Sequence, residues 1–298
     1  MESRVGSSVS WLSKEGNPAE PSVRKPGRKL IIEKRSGLFD MDWPAIWEYR
    51  ELLYALVWRE IAVRYKQTAI GVTWVLLQPL VTLVIFTVIF GRLAKMPSDG
   101  VWYPVFALTA LIPWIYVAEA ITRSGGVMIA NSNLITKIYF PRILLPSSMI
   151  VAPLVDLALS LVLLIGLLIY AGIPLTWKIF TLPLFILVAM LTALSVSLFV
   201  SATNVKYRDV AYAVPFMMQV WMFASPIVYP VSLIPEQWRF LYGLNPMVGV
   251  IEGFRWALLG QTAPDPLVML GSCVVFVFIL IAGLIYFRRL ERQFADVI

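Results

Sequence analysis

The stretch Gln67-Thr-Ala-Ile-Gly-Val-Thr-Trp-Val-Leu-Leu-Gln-Pro-Leu-Val-Thr-Leu-Val-Ile-Phe-Thr-Val-Ile-Phe-Gly91 contains no charged residue. Its part from Thr68 to Phe90 is long enough to cross a bilayer, because the hydrocarbon core requires about 20 consecutive apolar residues in a helix. Backbone N–H and C=O groups find no water partner in lipid, so a stretch of this kind must be helical. It therefore predicts a membrane-spanning helix, and it decides the fold because similar stretches follow along the chain.

Further apolar stretches give the chain six predicted spans, at about residues 68–90, 102–122, 147–171, 179–203, 210–230 and 266–287. Composition agrees with this, since 59% of the 298 residues are hydrophobic and only 14% are charged, whereas about a quarter of a soluble domain is charged. No short apolar run precedes a cleavage site, so we expect the first span to act as an uncleaved insertion signal. The sequence predicts an all-α polytopic membrane protein.

The formal net charge of +7 raises the question of a nucleic-acid partner, but the placement of the basic residues favours another explanation. Cytoplasmic loops of membrane proteins are enriched in Lys and Arg. Such residues cluster before the first span and after the second, fourth and last spans: Arg59, Arg64, Lys66, Arg123, Lys137, Arg142, Lys206, Arg208, Arg288, Arg289 and Arg292. The alternate loops hold fewer: Arg92, Lys95, Lys178, Arg239 and Arg255. We predict that both termini are cytoplasmic and that nucleic acid is not a partner.

Residues 1–37 are rich in Ser, Pro, Gly and mixed charge and contain few large apolar residues. A segment of this composition cannot bury enough surface to order itself. We therefore predict a disordered cytoplasmic tail, followed by a single transmembrane domain over residues 38–298.

An amphipathic helix is predicted over residues 43–66, where Asp42 can cap the first turn and Pro44 suits it. Apolar residues recur there at three- and four-residue spacing among charged ones: Trp47, Tyr54, Val57, Trp58, Ile61 and Tyr65. Such a helix beside a first span is typical of one that lies in the membrane interface. The alternative is a cytoplasmic helix that packs on another protein.

Residues 124–146, between the second and third spans, are too polar to cross a membrane and too apolar for a solvated linker. We predict a short amphipathic helix that is ended by Pro141. Its apolar face consists of Leu134, Ile135, Ile138 and Tyr139. Lipid could cover this face, but a protein partner on the cytoplasmic side is the sharper interpretation.

Residues 231–262 are interrupted by prolines and yet are rich in Trp, Phe, Leu and Tyr. Broken helical backbone survives at membrane depth only where protein or a cavity covers it. We predict two short re-entrant or interfacial helices on the outer side, near residues 236–244 and 248–259.

Several kinds of catalytic site are excluded by what the chain lacks. It has no histidine and a single cysteine, Cys273, which excludes His-based catalysis, a disulfide within the chain and a Cys-rich metal site. Neither a Gly-x-x-x-x-Gly-Lys-Ser/Thr nor a Gly-x-Ser-x-Gly motif occurs, so the chain lacks a P-loop and a nucleophile elbow. We predict neither an enzyme nor a metal site.

Two carboxylates, Glu119 and Asp156, fall within apolar stretches near the predicted inner face. Ionisable groups in a span are costly and mark either a buried pair or a transport site. We favour structural pairing with Arg123 or Arg142, and proton transport is the alternative.

Among the aromatic residues inside predicted spans, anchoring at a membrane boundary explains least well Trp74, Trp221, Phe223 and Tyr229. Sugars stack their C–H faces on such rings, so these residues are candidates for lining a glycan channel. Trp221 and Tyr229 are eight residues apart and can share one face of a helix, whereas Phe223 points elsewhere.

Blocks of residues spread along the chain resemble ABC-2 type permeases that export bacterial polysaccharides. The first span is preceded and opened by Tyr49-Arg-Glu-Leu-Leu-Tyr54, Val57-Trp-Arg-Glu60, Val63-Arg-Tyr-Lys-Gln67 and Gly71-Val-Thr-Trp-Val-Leu-Leu-Gln-Pro79. Asn133-Leu-Ile-Thr-Lys-Ile-Tyr-Phe-Pro-Arg142 resembles that family's coupling segment. The later blocks are Asn204-Val-Lys-Tyr-Arg-Asp209, Trp221-Met-Phe-Ala-Ser-Pro-Ile-Val-Tyr-Pro230 and Tyr242-Gly-Leu-Asn-Pro-Met247.

The resemblance implies a homodimer in the bacterial cytoplasmic membrane, paired with two copies of a separate ABC ATPase. It implies export of a lipid-linked glycan, such as O-antigen, capsule or teichoic acid, through a channel between the two subunits. ATP and Mg would be bound by the ATPase, and no cofactor by this chain. An exporter of a drug or small lipid with the same architecture is the alternative.

The resemblance also assigns roles to residues. The ATPase-coupling candidates are Asn131, Asn133, Leu134, Ile135, Lys137, Ile138, Tyr139 and Phe140. The candidates for contact with a lipid pyrophosphate are Arg59, Arg64 and Lys66, for which plain anchoring at the cytoplasmic face is the alternative. The segment before the last span aligns with outer gate helices, with Trp238, Tyr242 and Trp256 as gate candidates.

Overall fold

A computed structural model describes residues 43–66, 73–260, 263–291 and 294. The predicted tail (1–37), the capping residue Asp42, the start of the first predicted span (67–72) and residues 261–262 of the outer segment lie outside the described residues.

All regular structure in the described ranges is helical. The α-helices are α1 (Trp43–Glu48), α2 (Arg50–Tyr65), α3 (Thr73–Phe86), α4 (Tyr103–Ala130), α5 (Ser132–Lys137), α6 (Leu144–Val151), α7 (Leu154–Tyr170), α8 (Leu182–Lys206), α9 (Val210–Phe223), α10 (Glu236–Gly243), α11 (Pro246–Leu259) and α12 (Pro266–Glu291). A π-helical turn over Thr87–Leu93 extends α3, and short 3₁₀ turns occupy Trp177–Thr181 and Val231–Leu233.

Five helical segments within the described part are long and apolar enough to cross a membrane: Thr73–Leu93, Tyr103–Ala130, Leu144–Tyr170, Trp177–Lys206 and Pro266–Glu291. The prediction of an all-α membrane-spanning protein is therefore confirmed.

The predicted fifth span, an uninterrupted helix over 210–230, is wrong in its extent. Helix α9 ends at Phe223 and is about 21 Å long, which is shorter than the hydrocarbon core of a bilayer. Pro226 and Pro230 follow directly. Because proline lacks an N–H donor and restricts the residue before it, the helix cannot continue through them.

Two other spans have different limits from those predicted. Helix α4 continues through Gly125-Gly126 to Ala130, and Gly125 lies next to Val200 of α8, where an added Cβ would be at an ordinary van der Waals distance of 3.5 Å. The third span is divided into α6 and α7 at Ala152-Pro153, because a proline in mid-helix removes a backbone hydrogen bond.

The buried apolar residues form two clusters at the two ends of α4. One contains Met128 at the end of α4 together with residues of α2, α5, α6, α8 and α12, including Leu56, Ile135 and Phe287. The other contains Phe106 at the start of α4 and much of α7, α8 and α11. Segments that the sequence assigns to one side of the membrane therefore pack together.

Helix α9 and the loop that follows it run along nearly the whole of α4. Ala211 lies against Gly125, the rings of Trp221 and Trp114 are 5.7 Å apart, and the Tyr103 hydroxyl donates a 3.1 Å hydrogen bond to the carbonyl of Val228. From Gly125 to Tyr103, α4 rises about 33 Å. Residues 211–228 thus traverse the bundle although they do not form one helix.

Candidate functional site

The coupling segment is predicted over 124–146. In the structure α4 extends to Ala130 and α6 begins at Leu144, so the segment between these helices is residues 131–143, here called the coupling loop. Helix α5 ends at Lys137, well before Pro141, and Ile138 has extended backbone angles of φ −131° and ψ 133°. The prediction that Pro141 ends the helix is wrong, because the chain must leave the helix earlier to bury Phe140.

The apolar residues of the coupling loop do not share one face, as the sequence predicted. Ile138 and Tyr139 are exposed (54% and 71%), whereas Ile135 and Phe140 are buried (5% and 3%) in the cluster around α2 and α12. Leu134 is half-buried against the same cluster. Only two of the five apolar candidates are therefore available to a partner.

The polar coupling candidates also divide into two groups. Asn131 is buried, and its Nδ2 donates a 2.8 Å hydrogen bond to the Val127 carbonyl at the end of α4. Asn133 and Lys137 are exposed beside Ile138. Asn131 thus has a structural position at the start of the loop, and the other two lie on its surface.

Hydrogen bonds attach the coupling loop to α2 and to α12, the last helix of the described fold. Nη2 of Arg59 donates a 2.9 Å hydrogen bond to Oδ1 of Asn131, and the Tyr49 hydroxyl donates a 3.2 Å hydrogen bond to the Tyr139 carbonyl. At the other end, Arg142 bonds the backbone carbonyl of Glu291. The loop is therefore fastened to α2 on one side and to α12 on the other.

A cluster of charges lies where the end of α2 meets α4 and α7. Nη1 of Arg64 is 2.8 Å from Oε1 of Glu119 and also pairs with the Asp156 carboxylate, and Nε of Arg123 is 3.0 Å from Glu119. The Tyr65 hydroxyl donates a hydrogen bond to Asp156. Burial and this hydrogen bond raise the pKa of the Tyr65 phenol above its ordinary value, so the group remains a donor.

The expected pairing of the two carboxylates is correct for Glu119 and Arg123 but wrong for Arg142. Arg142 bonds Glu291 and lies 5.9 Å from the Phe294 ring centroid. The sequence did not assign Arg64 as a partner because α2 and α7 are far apart along the chain.

The three lipid-pyrophosphate candidates are not brought together as one cationic patch. Arg64 is half-buried and paired with two carboxylates. Arg59 is directed to Asn131 and Glu60. Lys66 follows the last turn of α2 and is exposed.

A small open cavity of about 20 Å³ lies beside the charge cluster. Its apolar walls come from α3, α4 and α7, including Val75, Ile112 and Leu157. Its polar lining consists of Arg64, Gln78, Tyr116, Glu119, Asp156 and Ser160. The charges therefore border a space between the amphipathic helix and the first, second and third spans.

The four channel candidates occupy different environments. Trp74 on α3 and Phe223 on α9 are exposed (59% and 51%). Trp221 is half-buried and donates a 2.8 Å hydrogen bond from Nε1 to Oδ1 of Asn245. The Tyr229 hydroxyl donates a 3.2 Å hydrogen bond to the Phe223 carbonyl. The expected shared face of Trp221 and Tyr229 is wrong, because α9 has ended before Tyr229.

Two short helices, α10 and α11, lie where the sequence predicts them. Trp238 is exposed (54%), whereas the Tyr242 hydroxyl donates a 3.1 Å hydrogen bond to that of Tyr229. Trp256 is half-buried, with its ring 6.3 Å from that of Phe185 and 5.3 Å from Nζ of Lys178.

Arg255 was not among the residues predicted to be functional, because from the sequence it resembles a loop charge. Its side chain is 1% exposed, its guanidinium carbon is 3.6 Å from the Phe106 ring centroid, and its nitrogens donate to Glu252 (3.1 Å) and to the Ile227 carbonyl (3.2 Å). The available signal was a Glu-x-x-Arg pair inside an apolar helix, a spacing that places the two side chains on one face.

The sequence of the chain is similar to those of known membrane transport proteins. The profile of the ABC-2 type transporter family matches residues 51–259. The chain is 28% identical over 253 residues to the O-antigen export system permease protein RfbA of Myxococcus xanthus, covering 84% of this chain and 96% of that protein. It is 27% identical over 252 residues to the protein of the same name from Klebsiella pneumoniae, covering 83% and 95%.

A third relative is the polysialic acid transport protein KpsM of Escherichia coli, with 27% identity over 253 residues, which is 80% of this chain and 93% of that protein. The family match extends over most of the described helices. The chain therefore belongs to the ABC-2 type transporter family.

Proposed function

We propose that this protein is the permease subunit of an ATP-driven exporter that moves a lipid-linked polysaccharide across the bacterial inner membrane. The observation that carries the proposal is similarity, over four-fifths or more of the chain, to proteins named for O-antigen export and polysialic acid transport. The substrate would be of the O-antigen, capsule or teichoic acid type.

The energy would come from a separate ABC ATPase, present in two copies, that binds ATP and Mg. The sequence contains no P-loop motif, so nucleotide phosphates would have to be held by another chain. The exposed Ile138 and Tyr139, next to Asn133 and Lys137, supply a contact surface on the coupling loop. Buried aromatic and apolar anchors provide most of the energy of such interfaces.

Six crossings with both termini cytoplasmic is the topology that the packing supports. Phe287 in the last helix lies in the same cluster as Leu56 of α2. A chain that begins and ends at one end of a bundle crosses it an even number of times. With five long helices, one more crossing would be needed, and residues 211–228 along α4 are our candidate for it.

A second copy of this chain would complete the translocation path. Only 22% of the most apolar part of Thr73–Leu93 is buried within the subunit, and α9 exposes Phe223 and most of its length. Trp74 and Phe223 lie on these uncovered faces, so they are the candidates for ring surfaces along a glycan path. Trp221 and Tyr229 hold the outer helices in place, and the exposed Trp238 is the gate candidate nearest to solvent.

The lipid pyrophosphate would be met by Arg59 or Lys66 more readily than by Arg64. Cations at the headgroup level are natural partners for phosphate, and Lys66 is exposed at the end of α2. Arg64 already faces two carboxylates. Anchoring at the inner face accounts for Arg59 and Lys66 equally well, and for Lys66 substitution by Gln distinguishes the two roles through glycan export.

The deciding experiment is deletion of this chain followed by analysis of lipid-linked sugars. We expect one polyprenyl-linked glycan to accumulate inside the cells and to disappear from the surface, and expression of the chain from a plasmid should reverse both effects. Normal surface glycan together with increased sensitivity to a drug would support the alternative, an exporter of small molecules.

A further inference from the structure

We propose that α2 acts as a lever between the coupling loop and the spans, with Arg64 as the positioning residue at its far end. The inference rests on the proposed function, since it concerns how a partner ATPase moves the transmembrane part. In this proposal Arg64 holds α2 to α4 and α7, instead of binding a lipid pyrophosphate as the sequence predicts.

Two residues of α2, Arg59 and Arg64, attach it to different parts of the protein, and we call these two sets of contacts its fastenings. Nη2 of Arg59 donates a 2.9 Å hydrogen bond to Oδ1 of Asn131 at the start of the coupling loop. Arg64 pairs with Glu119 of α4 and Asp156 of α7. Five residues turn a side chain by about 140° around a helix. The helix therefore lies between the loop and the spans and is joined to both.

The fastening to the loop is itself rigid. Asn131 is 6% exposed, and its Nδ2 donates a 2.8 Å hydrogen bond to the Val127 carbonyl in the last turn of α4. On the same side of the molecule, the Tyr49 hydroxyl donates to the carbonyl of Tyr139, which is one of the two exposed residues offered to the partner. A displacement of Ile138 and Tyr139 would therefore be passed on through two contacts, to Arg59 within α2 and to Tyr49 directly before it.

The fastening to the spans uses adjacent residues of α2 on one carboxylate. Arg64 and Tyr65 both contact Asp156, so the end of α2 cannot rotate without losing both contacts. The Arg64 and Asp156 side chains are only 21% and 10% exposed, where solvent screens an ion pair weakly. The end of α2 thus moves together with α4 and α7.

The charge balance of this cluster argues against a phosphate ligand at Arg64. Among the described residues, Arg64 and Arg123 face Glu119 and Asp156, and a phosphate would have to displace a carboxylate from the guanidinium. Gln78 and Pro79 of α3 line the cavity beside the cluster. A shift of Arg64 therefore changes the space next to the first span.

The first test measures export per ATP hydrolysed in the complex of the full chain with its ATPase, for Arg59→Gln, Arg64→Gln and the double variant. Because the two fastenings act in series, each single change should lower the ratio by about 2- to 30-fold. The double variant should be no worse than the more severe single variant. Losses that multiply in the double variant would mean independent roles and would overturn the lever.

Exchange of the charges separates a positioning role from phosphate binding. Arg64→Asp combined with Asp156→Arg recreates the pair with the cation on α7, so we expect partial recovery of the export ratio relative to Arg64→Asp. An exchange variant that assembles normally and recovers nothing would overturn the proposal. If Arg64→Gln fails to assemble, Tyr65→Phe removes one contact to Asp156 with little change in volume and should lower the ratio more mildly.

A distance measurement tests the lever whatever the cargo is. Spin labels at the exposed positions Tyr54 on α2 and Val162 on α7, in a Cys273→Ser background and with labelled subunits diluted by unlabelled ones, should give a single narrow distance in the parent chain. Arg64→Gln should broaden it, whereas Arg50→Gln, which removes an exposed charge from the same helix, should not. Identical distributions in all variants would overturn the lever, while an unchanged surface glycan after deletion would count only against the proposed function.

Discussion

Nε1 of Trp221 donates a 2.8 Å hydrogen bond to Oδ1 of Asn245, and this bond joins the end of α9 to the residue that caps α11. The same amide oxygen accepts a 3.0 Å hydrogen bond from the backbone N–H of Met247. The amide nitrogen donates to the Ala224 carbonyl (3.1 Å) and to Oγ of Ser225 (3.0 Å). One side chain therefore holds the outer helices against the end of α9.

Replacement of Asn245 by Ala should lower the free energy of unfolding by about 1–3 kcal/mol, because partly buried donors and acceptors lose their partners. Trp221→Phe should cost less, since its ring can keep the edge contact with Trp114. The measurement is thermal unfolding of the purified protein in detergent. Asn133→Ala, at an exposed position, serves as control, and equal stability of Asn245→Ala and the control would contradict the role of Asn245.

Charged substitutions on the exposed tip of the coupling loop should separate ATP hydrolysis from export. The double variant Ile138→Asp, Tyr139→Asp should fold and insert normally because both side chains face outward, but export should fall by about tenfold or more as an apolar anchor is lost. ATPase assays and glycan export in the same membranes provide the measurement. Tyr207→Asp, similarly exposed (53%) but outside the coupling loop, is the matched control, and normal export by the double variant would remove this surface from the interface.

Local hydropathy was sufficient for most of the fold, since it predicted the five long helices and the short pair at residues 236–259. Local hydropathy did not predict the helix ends that depend on packing or on proline. Helix α4 continues past the predicted end at residue 122, where Val127 and Met128 are buried in the cluster with Leu56 and Phe287. Helix α9 stops at Phe223 although apolar residues continue, because a composition window does not weigh the geometric effect of Pro226 and Pro230.

The candidate site was less accessible from sequence because its contacts join distant parts of the chain. Arg64 and Asp156 are 92 residues apart, and Arg59 and Asn131 are 72 apart, so no local period relates them. The coupling loop could be located, but an assumed helical face placed Ile135 outward when its side chain is buried. Periodicity applies only while the helix continues, and α5 ends at Lys137.

Cysteine labelling from the outside should establish the topology. In a Cys273→Ser background, we expect membrane-impermeant reagent to reach cysteines placed at Ser98 and at Gln261, the latter outside the described residues. Cysteines at Ser132 and Tyr207 should react only after the cells are opened, because both positions lie in loops on the α2 side. Outside labelling at position 132 would contradict the six-crossing arrangement.

The exposed rings of Trp74 and Phe223 should matter for long glycans more than for stability. Ala at either position should lower export of long chains while leaving the unfolding temperature close to that of the parent, because neither ring is buried in the subunit. Gel analysis of glycan length alongside stimulated ATPase activity provides the measurement. The control is Phe180→Ala, because Phe180 is also exposed (84%) but lies near the start of α8. Equal glycan-length profiles for all three variants would exclude a glycan path along Trp74 and Phe223.

Close packing of α8 and α12 depends on Gly283. A Cβ at this position would lie 2.7 Å from the Ser195 carbonyl oxygen and 3.2 Å from the Phe199 ring. The backbones must therefore separate in Gly283→Ala, which should cost about 1–3 kcal/mol of stability and lower the unfolding temperature in detergent. Gly166→Ala in α7 is the matched control, because nothing lies within 4 Å of its added Cβ. Removal of a helical glycine reduces the entropy of the unfolded chain, so this variant should gain about 0.4–1 kcal/mol of stability. Opposite shifts in the two variants are expected, and a Gly283→Ala protein as stable as the parent would mean that α8 and α12 do not approach each other this closely.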